Sequence, residues 1–66
     1  MNNTPRLEVY EDKAKPPGKQ WWWRIWISSN IIAASSEGYK NRVDCLDNIK
    51  NVEQRIKYLR ENNLIK

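Results

Sequence analysis

All four tryptophans of the chain fall within the run Trp21-Trp22-Trp23-Arg24-Ile25-Trp26-Ile27. Rings so placed could stack on unpaired bases, and Lys13, Lys15 and Lys19 stand just upstream, where ammonium groups could meet phosphates. Glu11 and Asp12 would partly cancel the field of those lysines, and a solvated loop is the plainer reading. The net charge of +4 permits an anionic partner without requiring one.

Other reactive side chains lead less far. Ser35-Ser36-Glu37-Gly38-Tyr39 offers two hydroxyls, but the chain has no histidine to activate either. A lysine or carboxylate base would need a pocket that a chain of 66 residues rarely encloses. Cys45 is the only cysteine, so no internal disulfide can form, and without histidine no zinc-type ligand set exists. No catalytic, cofactor or metal residue is therefore assigned, and the protein reads as non-enzymatic. A lone thiol suits a reducing cytoplasm. The amino terminus lacks the apolar run of a signal peptide, and no stretch approaches the ~20 apolar residues of a membrane helix.

What must position these groups is a small set of elements. Arg6 to Glu11 alternates apolar and polar residues, the pattern of a half-buried strand. Asp12 to Gln20, with Pro16-Pro17-Gly18, reads as a loop. A second strand over 21–28 places Trp21, Trp23, Ile25 and Ile27 on one face and Trp22, Arg24 and Trp26 on the other. Ser29-Asn30 serves as the turn into a third strand over 31–37. Counting from that turn sets Ile27 against Ile32, Ile25 against Ala34 and Trp23 against Ser36. A helix over 42–61 begins behind the N-cap Asn41, and Cys45, Ile49, Val52, Ile56 and Leu59 form its apolar seam. Asn62-Asn63 stops it. The expected fold is α+β: a three-stranded antiparallel sheet with one C-terminal helix packed across one face.

The order LEVYED, WRI, IIAASSEGYKNR, then Cys45 and Asn48-Ile49, resembles the YegP-like family of small proteins of unknown function. The most specific part is Ser35-Ser36-Glu37-Gly38-Tyr39 with Trp23-Arg24 at the family's distance. The resemblance covers about residues 7 to 52 and divides the chain into a β-β-β-α unit over 1–52 and a helical extension over 53–66. It implies the same fold and, for a single-copy member, a homodimer. It implies no reaction, cofactor or substrate. The chain departs from the family in its longer first loop, in Ser29-Asn30 where Asn-Gly is common, and in the extended helix. It also departs at Trp22, Trp26 and Ile31, where relatives usually carry charge.

Those three residues form an apolar patch on the wet face of the sheet, the kind that marks an interface unless the tail or the helix extension folds over it. Ile56 and Leu59 offer a second surface, because a helix ~30 Å long overhangs a sheet ~15 Å wide. The expected function is an interaction module that assembles as a homodimer through one of these surfaces. Single-stranded nucleic-acid binding by Lys13, Lys15, Lys19 and the outer tryptophans is the alternative.

Overall fold

The computed structural model describes residues 3–66, so residues 1 and 2 of the expected amino-terminal tail lie outside it. Period-two alternation builds β1 (Arg6–Glu11) and β2 (Trp21–Ile27), and β3 (Asn30–Ala34) completes an antiparallel sheet in the order β1-β2-β3. One helix follows, α1 (Arg42–Glu61). This is the expected α+β arrangement.

Pairing of β1 with β2 sets Leu7 against Ile25 and Val9 against Trp23 on the side that α1 covers. On the opposite side Arg6 meets Trp26, Glu8 meets Arg24 and Tyr10 meets Trp22. Aromatic and β-branched residues fill both faces of β2, which suits the pleated central strand.

The loop between them is built from two turns. Pro17 fixes one backbone angle, Gly18 takes a φ of +82°, and the Lys19 amide donates to the Pro16 carbonyl at 3.0 Å, the pattern of a type II turn. Asp12 closes the other: its carbonyl accepts from the Lys15 amide and its carboxylate from the Ala14 amide. Gln20 then donates its side-chain amide to the Lys15 carbonyl at 3.0 Å.

The second hairpin differs from the expected one. Ile27 pairs with Asn30, so the turn is Ser28-Ser29 rather than Ser29-Asn30. Ser28 has a φ of 53° and Ser29 is not positive, as in a type II′ turn. A bulge opposite the Ile25/Trp26 step then shifts the ladder, so that Ile25 faces Ala33 and Arg24 faces Ala34. The expected partners Ile32, Ala34 and Ser36 are corrected accordingly. A register slip moves side chains between faces, and here it puts Ala33 on the side of the sheet that faces the groove and Ala34 on the outer side.

Side-chain bonding near Trp23 fixes this register. Ser35 donates its amide to the Trp23 carbonyl, and its Oγ accepts from the Trp23 amide. β3 ends at Ala34, short of the expected 37, because the chain bends at Ser36-Glu37. It returns to exchange two amide bonds between Tyr39 and Trp21, at 2.7 and 2.9 Å. The return depends on Gly38: a Cβ there would lie 2.1 Å from the Lys19 carbonyl oxygen and 2.8 Å from the Trp22 ring.

α1 starts and stops as its sequence dictates. The Asn41 side chain accepts from the Asp44 amide at 2.8 Å. At the other end Asn63 adopts a φ of 58°, and the amides of Asn63 and Leu64 donate to the carbonyls of Arg60 and Leu59, a Schellman closure.

Candidate interaction surfaces

The outer face of the sheet is a connected set of rings and charges. Glu8 and Arg24, opposite each other on β1 and β2, form an ion pair and hydrogen bond through Oε1 and Nε. The same carboxylate oxygen accepts from the Trp26 indole at 2.9 Å. The Arg24 guanidinium lies 4.3 Å from the Tyr10 ring centre and 5.1 Å from that of Trp26, and Arg6 lies 5.0 Å from Trp26. Arg6 also donates to the Ser28 carbonyl at 3.0 Å.

Farther along, Lys15 places its ammonium 5.5 Å from the Trp22 ring centre, while the Trp22 indole donates to the Lys19 carbonyl at 3.0 Å. Such cation–ring contacts are attractive even when partly wet. The Arg24 hydrogen bond, followed by that of Trp26, holds the Glu8 carboxyl below its ordinary value of 4.5. The same bond to Glu8 raises Arg24.

This face is therefore not the bare apolar patch that its residue types suggest. Trp22 and Trp26 are half-buried and covered by the chain's own cations; Ile31, opposite Trp26, is exposed. Of the three loop lysines, Lys15 sets its ammonium over a ring, and Lys19 meets the Trp22 indole through its backbone carbonyl.

The helix face is built differently. Among the described residues only Trp23, 7% exposed, and Cys45, 0% exposed, are buried hydrophobic groups. The Trp23 indole donates to Asn48 Oδ1 at 2.7 Å, which satisfies its one polar atom under the helix. Burial pushes the Cys45 thiol up, and Arg42 nearby opposes that only in part. Tyr39 is raised too, first by burial and then by Glu37.

Burial declines along the seam of α1. Cys45 is enclosed, Ile49 and Val52 are half-buried, and Ile56 and Leu59 are 46% and 39% exposed. Between the helix and the sheet a groove of about 400 Å³ stays open, floored by Trp23, Ile25 and Ala33 and walled by Leu7, Ile49, Val52 and Ile56. The helix approaches β1 and β2 and makes no comparable approach to β3, all of whose residues are exposed.

A second, shallower depression of about 600 Å³ runs over the β1 edge between Arg6, Glu8, Trp26, Arg42 and Leu46. Its charges are mixed and Glu8 is already engaged. Among the described residues no group of three or more His, Cys, Asp or Glu side chains could hold a metal ion. No helix among them is long and apolar enough to cross a membrane.

The sequence reading missed Arg6, Glu8, Tyr10 and Asn48. The first three share one face by strand alternation, yet their partners depend on the β1–β2 register, which a nine-residue loop leaves uncounted. Asn48 sits three residues after Cys45 on the seam, and a polar residue there is a legible signal for a partner beneath. No family model matches the chain, and no curated protein or solved structure matches it.

Proposed function

We propose that the chain is a non-enzymatic interaction module that works as a homodimer in the cytoplasm, its contact centred on the helix-face groove. One observation carries this reading: the described residues bury only Trp23 and Cys45 as hydrophobic groups, while Leu7, Ile56 and Leu59 stay exposed beside an open apolar groove. A domain this small has little stability to spare, and burying apolar surface contributes about 25 cal/mol per Å² before association costs. The groove and the late helix lie on the same side and form one surface. The resemblance to YegP-like proteins, carried by the residues around Ser35–Tyr39, points the same way.

Sedimentation equilibrium across micromolar to hundreds of micromolar tests it. A dimer is expected, with Ile56→Asp and Leu59→Asp shifting the mass to monomer while the helical circular dichroism of the dilute protein is retained. A native chain that stays monomeric throughout that range overturns the reading.

The position of Lys15 over Trp22 favours a second reading, weak binding of single-stranded nucleic acid. It expects oligonucleotides to quench tryptophan emission in low salt, with the effect lost in high salt and in Lys15→Gln. Unchanged emission at low salt removes it.

A further inference from the structure

A two-residue turn is enough to join antiparallel strands, yet nine residues, Asp12 to Gln20, connect β1 to β2. The connection is built rather than slack. The Asp12 amide donates to the Gln20 carbonyl at 2.7 Å, and the Gln20 side chain holds the Lys15 carbonyl. The Trp22 indole holds the Lys19 carbonyl, so both halves of the loop are tied to its base. Residues 13–19, Lys-Ala-Lys-Pro-Pro-Gly-Lys, are all exposed and carry three lysines and no carboxylate. A residue that precedes proline is held in the extended region, which applies to Lys15 and to Pro16. Pro17 stands at the second position of the type II turn and keeps that geometry too. Lys15-Pro16-Pro17 is therefore a preset piece of left-handed proline helix at the surface.

We propose that this loop tip docks into a partner protein, in a groove lined by aromatic rings and rimmed by carboxylates. Grooves of that kind read proline because the segment arrives already ordered and loses little entropy on binding. Pro16 and Pro17 bring no amide donor, and the Pro16 carbonyl already accepts from the Lys19 amide at 3.0 Å. Rings can therefore cover them at small desolvation cost. Lys13, Lys15 and Lys19 around the prolines are matched by carboxylates on the rim, which orient the approach.

Nucleic acid fits the tip less well. Prolines offer no flat aromatic face to a base, and the nearby Trp22 ring is half-buried and faced by the Lys15 ammonium. The tip is also clear of the helix-face groove, which borders Pro5 to Leu7 at the other end of β1. Docking there goes beyond the homodimer reading, leaves its contact untouched and does not require it.

A panel of isolated WW domains, small proline readers with aromatic grooves, is the probe, titrated into the full chain by calorimetry. Micromolar binding to the members with acidic rims is expected, weakening as salt rises. Pro16→Ala combined with Pro17→Ala is expected to weaken it by about tenfold or more. Gly18→Ala is the sharper variant. Nothing lies within 4 Å of the added Cβ, so the core is spared, but the φ of +82° becomes strained and the tip loses its preset shape. A several-fold loss is expected there, with the helical circular dichroism unchanged. If no member of the panel binds, or if binding ignores both the prolines and Gly18, docking through the tip is overturned. It is overturned likewise if a single-stranded oligonucleotide binds through Lys13 and Lys19 with the prolines dispensable. Sedimentation reads the homodimer separately, so either reading can fail while the other stands.

Discussion

On the outer face of the sheet, Tyr10 has Arg24, Trp22 has Lys15 and the Lys19 carbonyl, and Trp26 has Arg6, Arg24 and Glu8. On the helix face, Trp23 alone has both an enclosing helix and a polar partner, while Ile25, Ile49 and Val52 border an open groove. The wet side is thus closed by contacts within one chain, and the apolar side is not. Residue type alone points the other way, since the outer face holds two indoles and a tyrosine. What decides is whether a ring's polar atom and flat faces find partners from the same chain.

Four substitutions probe that contrast. Trp23→Ala removes the main group of the helix face and is expected to cost about 3–5 kcal/mol, near the whole stability of such a domain. Its circular dichroism should be that of a largely unfolded chain, and a cooperative, near-native melt would show that the helix face holds without it. Asn48→Ala keeps the indole buried but takes away its acceptor, with an expected loss of about 1–3 kcal/mol. Urea titration reads this, and an unchanged midpoint would mean that the indole N–H finds another partner.

The outer face should respond less, and with a pH signature. The folded Glu8 carboxyl lies below 4.5, so its stabilising effect is present above the unfolded value and is lost as pH falls through the folded one. Wild type and Glu8→Gln should therefore differ in urea midpoint at neutral pH and converge in acid. A constant gap across that range would assign the effect to packing instead of charge.

Ser28→Gly, at the turn whose carbonyl accepts from the outer-face Arg6, has the smallest expected effect. It relieves a positive φ at the first central position of the hairpin turn, with a gain of about 0.5–1 kcal/mol. A loss would mean that the Ser28 side chain contributes more than its backbone costs.

Much of the fold was legible because its signals are local. Alternation marked β1 and β2, and Asn41 with the Cys45–Leu59 spacing marked α1 to within its observed ends. The hairpin turn and β3 register were misread because Ser28-Ser29 and Ser29-Asn30 are comparable turn pairs by composition. What separates them lies at a distance, in Ser35 bonding to Trp23 and Tyr39 to Trp21. The ion pair and stacked cations of the outer face were hidden for a related reason. They form across strands joined by a loop whose length does not fix the pairing.

The complete enclosure of Cys45 has a chemical consequence. Its sulfur sits under the first turns of α1 and is kept protonated by burial, so an alkylating reagent meets no thiolate while the helix is docked. Modification then proceeds through molecules in which the helix has lifted from the sheet. With no second cysteine in the chain, the rate of thiol labelling counts those openings directly, and it needs no probe beyond the one residue already there.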